Sequence, residues 1–296
     1  MTKMEARIRR LSDRWSSSLF RQHWTRFKKN KASVIAGCFL LLIYIAAIIA
    51  PYITPHDALE IHLKDRLLAP NQTYWLGTDD LGRDVLSRLM MGARVSLSVG
   101  FIAAGLSMVI GVWMGLMAGF FGKPVDTIIS GLVDILMSIP ALLLILAVVA
   151  IVPPSLINIM IILGLTMWAQ YARVVRGSVL TLKQQDFVEG ARAIGASRVR
   201  IMTRYLLPNV LAPIIVMATV NVAGAILLES SLSFLGYGVQ PPTASWGSMI
   251  GTGRTFLRQA PHLATSAGLA IFFTVLAFNL VGDGLRDAFD PRQKNK

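Results

Sequence analysis

Residues 95–122 read VSLSVGFIAAGLSMVIGVWMGLMAGFFG, a run without one charged side chain. A hydrocarbon core about 30 Å thick is crossed by about 20 apolar residues in helical conformation, so the stretch spans a bilayer with residues to spare. Its apolar positions are continuous, whereas a barrel strand alternates over about ten residues. Backbone polar groups in lipid must find partners within the segment, which leaves the α-helix. Working outward, runs of the same kind occupy 32–53, 127–152 (interrupted by Asp134 and Pro140), 155–172 after Pro153 and Pro154, 206–228, and 263–282. The expected fold is all-α, a polytopic membrane protein with about six transmembrane helices, in which Pro140 kinks the third.

Composition agrees. Hydrophobic residues make up 54% of the chain and charged residues 15%, against about 25% charged in soluble domains. The net charge is +13, but Lys and Arg gather between the apolar runs, a topology pattern and not a nucleic-acid surface. With the N-terminus in the cytoplasm, 22 Lys and Arg fall inside and 7 outside, which places both termini inside. The chain then divides into a basic cytoplasmic segment (1–31), a first transmembrane helix (32–53), an extracytoplasmic segment (54–93), a core of five helices (94–283) and a cytoplasmic tail (284–296). The acids Asp57, Glu60, Asp65, Asp79, Asp80 and Asp84 all fall outside. The apolar run after the basic segment is too long for a signal-peptide core. Residues 19–31, LFRQHWTRFKKNK, put Leu19, Phe20, Trp24 and Phe27 among basic residues and read as an interfacial helix on the inner leaflet, with membrane lipid as its partner; a disordered basic tail is the other reading. Cys38 is the single cysteine and can form no intrachain disulfide.

The cytoplasmic loop 173–209 carries the most information. In DFVEGARAIGASRVRIMTRYLLPN, residues 186–209, Asp186 is an expected N-cap with Glu189 completing a capping box. Gly195 is placed to end a helix of about two turns, and Ser197 to cap a second one running towards Pro208. Two short helices hinged at a glycine, lying beside the membrane, form an expected docking surface.

At these residues the chain resembles the inner-membrane permeases of binding-protein-dependent ABC importers. Their motif is Glu-Ala-Ala, three residues, Gly, nine residues, Ile, one residue, Leu-Pro. Here Glu189, Gly190, Ala191, Gly195, Tyr205, Leu207 and Pro208 stand at that spacing, departing at Gly190 for Ala and Tyr205 for Ile. LGTDDLGRDVLSRLMMGARVSL (76–97), SLSFLGYGVQPPTASWGSMI (231–250) and FNLVGDGLRDAFDP (278–291) are similar to the C-type permeases of dipeptide, oligopeptide, glutathione and nickel importers. The resemblance implies the type I ABC importer permease fold in the bacterial inner membrane. It also implies a B-type permease partner forming a heterodimer, two ATPase subunits that use ATP-Mg, and an extracytoplasmic substrate-binding protein. In such a permease the helix begun near Glu189 couples to the ATPase, which assigns ATPase coupling to Glu189, Gly190, Ala191, Arg192, Gly195 and Pro208. Arg192, Arg198, Arg200 and Arg204 face either acidic ATPase residues or anionic headgroups.

Asp134 and Glu229 are acids inside apolar runs. Acids at such depth usually face a bundle interior or a wet cavity, so both are candidates for the translocation path, with structural hydrogen bonding as the competing role. Gly111, Gly115 and Gly119 recur every four residues, a spacing that lets helices approach closely. No phosphate-cradling glycine loop followed by Lys-Ser/Thr occurs, so the chain is expected not to be an enzyme and to bind no cofactor. His23, His56, His62 and His262 show no metal-ligand spacing. A secondary transporter would show repeats and helices broken at mid-membrane, and a membrane enzyme a catalytic constellation; neither is read here.

Overall fold

A computed structural model of the chain describes residues 24–289. These are overwhelmingly helical, the one exception to helix and loop being an isolated bridge between Thr78 and Asp84. The helices are α1 (Lys31–Ile53), α2 (Val85–Phe121), α3 (Val125–Ser138), α4 (Ala141–Val149), α5 (Leu156–Leu182), α6 (Asp186–Ala193), α7 (Arg198–Phe234), α8 (Trp246–Gly253) and α9 (Pro261–Phe289). Among the described residues five are long and apolar enough to cross a membrane, and α3 with α4 makes a sixth if the pair counts as one span.

The expected spans appear with altered bounds. Helix α2 begins ten residues before the charge-free run, where the Asp84 side chain accepts from Ser87 N, an N-cap of the preferred type. Helix α5 runs on through Arg173 to Leu182 and α9 through Asp283 to Phe289. Charge-free length thus marks the part of each helix in lipid and not the helix itself, because a helix that emerges into water continues for as long as its other face is packed. Leu19 and Phe20 lie outside the described residues. The described part of that segment, 24–29, is helical, with Trp24 stacked on Phe27 at 5.9 Å. Asn30 ends it and caps α1, accepting from Ser33 N at 3.2 Å.

The third span is broken and not kinked. Helix α3 stops at Ser138, Ile139 and Pro140 are extended (φ −100°, ψ 132° and φ −55°, ψ 125°), and α4 leaves at 90°. Proline disfavours the helical region for the residue before it and supplies no N–H. At Pro140 both effects act together, so the helical ladder stops outright. The expectation of unbroken helices is corrected here.

The tightest packing joins α2 to α5. A Cβ on Gly115 would lie 2.6 Å from Ala172 O and 2.7 Å from Val175 Cβ, and one on Gly119 would lie 2.7 Å from Val179 Cβ; one on Gly111 would collide with Trp168 O. Small residues permit this approach, which in lipid supplies the association that the hydrophobic effect cannot. Three turns earlier, Gly100 of α2 meets Ile226 of α7 in the same way. Helix α2 is thus the central post, flanked by α5 and α7. Gly105 on the same helix faces open space. Gly115→Val should lower stability in detergent by about 1–3 kcal/mol through overpacking, while Gly105→Val should change it by less than about 0.5–1 kcal/mol, the propensity range; thermal unfolding of the purified variants compares them.

Candidate functional site

The loop at residues 173–209 folds around a small apolar anchor. On α6, Val188 and Ala191 are buried and lie one turn apart, packed with Val175, Val179, Ile201, Met202 and Leu206. Every other α6 side chain is exposed. Residues i and i+3 share one face of a helix, so two contacts suffice to hold the helix against the base of α5 and α7 while its outer face stays open.

Gly195 ends α6 as expected. Its φ is +78°, Ala196 N donates to Ala191 O at 3.0 Å and Gly195 N to Arg192 O at 2.9 Å, the paired bonds of a Schellman motif. A Cβ at Gly195 meets nothing within 4 Å, so glycine is required there by conformation and not by space. Gly190 also faces open space, so its departure from Ala costs no packing.

Two expectations about this loop are corrected. Asp186 is not the N-cap: Gln185 is, in extended conformation, and no side chain caps the helix, so the Asp186–Glu189 capping box does not form. The boundary falls one residue early because Gln185 O already accepts from Val188 N and Glu189 N. Nor is the second short helix separate. Ser197 does cap it, accepting from Arg200 N at 3.3 Å, but it continues through a π-helical stretch, Ile201–Leu206, directly into the fifth span. Pro208 lies just past that stretch. The Asn209 side chain donates to Tyr205 O at 2.6 Å, satisfying a carbonyl where the wider turn and the proline disturb the ladder; such π segments recur at functional sites.

The outward surface is mixed. Phe187 is 42% exposed and Ile194 80%, flanking Glu189, Gly190 and Arg192, all exposed. Val199, Arg198, Arg200 and Arg204 extend the same surface along the base of α7. Sequence reading named the acid and the arginines but missed Phe187 and Ile194. Their exposure amid polar neighbours was the available signal.

The two intramembrane acids take different positions. Glu229 is 0% exposed. Ser96 and Ser230 donate to its Oε2 at 3.1 and 3.5 Å, and Ser233 to its Oε1 at 2.7 Å. Ser96 also accepts from Trp246 N, and Ser233 from Ser245 Oγ, which ties α8 to α2 and α7 through one carboxylate. The competing structural role is the one this geometry supports. Asp134, in contrast, is exposed and pairs with Arg173 Nη2 at 2.6 Å. Arg173, on a stretch read as loop, was not singled out from sequence. Deeper in the same interface Arg176 forks onto Asp126, with Nη2 to Oδ2 at 2.7 Å, and Lys183 donates to Gly119 O at 2.9 Å.

The segment between α1 and α2 is a folded cap. Asp79 accepts from Leu81 N and Arg83 N and pairs with the Arg83 and Arg88 guanidinium groups at 2.8 and 3.3 Å. Tyr74 OH donates to Asp65 at 3.0 Å; burial, then this bond, push its phenol above the usual range. A cleft of about 1060 Å³ opens between this cap, α1 and the outer end of α2, lined mainly by apolar residues such as Ile48, Pro51 and Phe101, with Arg94 and His56 among the few polar ones. Neither Asp134 nor Glu229 borders it. Among the described residues no cluster of His, Cys, Asp or Glu is arranged to hold a metal ion.

With this geometry in view, comparison with known proteins is informative. Residues 111–295 match the model of the binding-protein-dependent transport system inner membrane component, and residues 18–70 that of the N-terminal transmembrane domain of oligopeptide transport permease C. The chain is 42% identical over 277 residues to a glutathione transport system permease protein of Pectobacterium atrosepticum, covering 93% of this chain and 92% of that one. It is 43% identical over 279 residues to a dipeptide transport system permease protein of Haemophilus influenzae (92% and 95% covered). It is 42% identical over 285 residues to a di/tripeptide transport system permease protein of Pseudomonas aeruginosa (94% of each). Among solved structures, the MetNI methionine ABC transporter in an inward-facing conformation superposes with a TM-score of 0.56 at 19% identity, over 70% of this chain and 97% of that one, a likeness of fold.

Glu229→Ala should leave Ser96 and Ser233 without their buried acceptor and lower stability by about 1–3 kcal/mol, with α8 becoming sensitive to protease. Thermal unfolding and limited proteolysis of the purified permease read both effects, and an unchanged melting temperature would contradict the tether.

Proposed function

The chain belongs to the inner membrane components of binding-protein-dependent transport systems, and on that premise we propose that it supplies half of the membrane path of a bacterial ATP-driven importer of short peptides, glutathione among them. The names of its relatives at above 40% identity support that substrate class. The reading adds a B-type permease as the second half of the path, two ATPase subunits in the cytoplasm and a substrate-binding protein outside. Both termini lie in the cytoplasm of the inner membrane, the orientation favoured by the 22 to 7 division of basic residues. The chain itself hydrolyses no ATP and carries no cofactor; ATP-Mg is bound by its partners.

One observation carries the mechanism. Helix α6 is held to the bundle by Val188 and Ala191, stopped by Gly195, and presents Phe187, Glu189, Arg192 and Ile194 to the cytoplasm. Apolar anchors ringed by charge are the composition of a protein interface centre and rim. Just past Gly195 the chain enters α7, unbroken from Arg198 to Phe234. A rigid ATPase movement applied to α6 is therefore delivered to the end of a helix that crosses the membrane. Closing and opening of the ATPase pair becomes rocking of α7 against α2, and the path opens to each side in turn. Tight helix packing makes such rearrangement a shift between two arrangements and not a continuous deformation.

Ile194→Asp and Phe187→Ala should each reduce the ATPase subunits that co-purify with the permease by about tenfold, the effect of about 1.4 kcal/mol at an interface hot spot. Membrane levels of the permease should stay as in the unaltered chain. Retention of both ATPases in Ile194→Asp would overturn the docking assignment. Gly195→Val should abolish uptake at matched membrane level, because a β-branched residue is strained at positive φ. Glu189→Ala should leave stability within about 0.5 kcal/mol, as a surface change away from any cap, so any loss of uptake in that variant reports contact with the ATPase.

A further inference from the structure

The broken span leaves two features exposed that lipid tolerates poorly. The first is the backbone of the break. Residues 137–141 are all exposed, and Ile139 and Pro140 are extended. Pro140 O accepts from Leu143 N and Leu144 N at 3.0 and 3.1 Å and so opens the ladder of α4, and the Ser138 hydroxyl donates to Ile135 O at 2.7 Å, which leaves Ile139 between the two helices. Non-helical backbone at membrane depth is tolerated where protein covers it or where it lines a water-filled cavity.

The second is the Asp134–Arg173 pair, one helical turn from Ser138, with side chains 70% and 51% exposed. Arg173 sits between Ala172 and Val175, the residues that meet Gly115. Gly115 lies six residues inside the end of α2 at Phe121, about 9 Å along the helix axis. Asp134 lies inside the apolar run 127–152 and Arg173 is the first residue past the run 155–172, so the pair stands at the inner edge of the membrane, with its carboxylate carried by a span, where ionisable groups face a bundle interior or water. The neighbouring Asp126–Arg176 pair already pins α3 to α5 and is less exposed, so Asp134–Arg173 is not needed as a second pin. The exposed pair and the exposed break are independent features, one of side chains and one of backbone, and they share one end of α3.

We propose that this face, from the break at residues 138–140 to the Asp134–Arg173 pair, is a water-facing wall of the translocation path that holds the charged ends of a short zwitterionic peptide in transit. The assignment rests on the reading of the chain as a short-peptide permease. Asp134 offers a carboxylate to the peptide ammonium, and Arg173 a planar fork to its carboxylate, the geometry in which a guanidinium binds best. The two groups satisfy each other when the path is empty and exchange partners when a peptide passes. That exchange keeps the site weak, as conduction requires of any path site.

The test uses the assembled transporter in proteoliposomes, with Cys38→Ser as background. Ser138→Cys and, as a lipid-facing comparison on α1, Ile45→Cys are exposed to a charged, membrane-impermeant thiol reagent. Ser138→Cys should react about tenfold faster, and its labelling should slow about threefold when binding protein, ATP and dialanine are turning over, as expected of a site only partly occupied in transit. Arg173→Gln should lower dialanine imported per ATP hydrolysed by about tenfold, the loss of one charge-assisted hydrogen bond, with both ATPases retained. Labelling of Ser138→Cys as slow as that of Ile45→Cys means that lipid or the second permease covers this face, and overturns the proposal. Fast labelling without slowing, in a transporter that does import dialanine, leaves a water path without recognition and overturns the assignment to peptide ends. A transporter that takes up no dialanine at all refutes the substrate class, and the recognition with it, while the labelling rate still decides whether the face meets water.

Discussion

The structure depends on the close approach of α2 and α5. With three glycines at four-residue spacing against Trp168, Ala172, Val175 and Val179, the two backbones come near enough for dispersion to hold them in a solvent as apolar as they are. Everything at that end of the bundle follows from where this contact leaves α5. Its last turns carry Val175 and Val179, which share one buried cluster with Val188 and Ala191 of α6. The same turns carry Arg173 and Arg176, which engage α3, and Lys183, which closes onto Gly119 O. A larger side chain on α2 would displace the base of the docking helix and the ion pairs together.

Coupling, on this account, is a matter of stiffness. A docking helix of eight residues has no stability of its own, and α6 persists because two buried residues, a Schellman turn and a cluster shared with α5 and α7 over-determine it. Only residues 194–197, fixed by the Schellman turn and the Ser197 cap, separate it from α7. Beyond that turn the route carries a π-helical stretch at Ile201–Leu206 and Pro213 inside α7. At the opposite end Glu229 and its serines hold α8 onto α2 and α7, so α7 is fixed at the end away from α6.

Much of this was legible in the sequence. The membrane helices follow from charge-free runs because backbone in lipid has no alternative partner, and Gly195 follows from the left-handed turn that ends α6. The bounds were less legible. The Arg173 region reads as loop by charge, yet it is helix because Val175 and Val179 on its other face are packed, while its arginines pair with Asp126 and Asp134, some 40 to 50 positions earlier. The break at Pro140 reads as a kink because proline alone allows either outcome, and the 90° turn is decided by how α4 packs on α5. Glu229 and Asp134 look alike as isolated acids in apolar runs. Only the fold shows one enclosed by serines from three segments and the other exposed beside a guanidinium. The capping box at Asp186 failed because the preceding turn placed the boundary at Gln185, a competition between local signals that spacing does not resolve.

The central claim is that α6 is the part of this permease that the ATPase grips. It is tested most directly by the structure of the intact importer with its ATPase subunits, in nucleotide-free and ATP-bound states. The account predicts Phe187 and Ile194 buried against an ATPase surface in both states, with Val188 and Ala191 still seated on Val175 and Val179, and the base of α7 moving with α6 as one body. An assembly in which Phe187 and Ile194 remain in solvent, or in which α6 moves while Arg198–Phe234 stays fixed relative to α2, would contradict it.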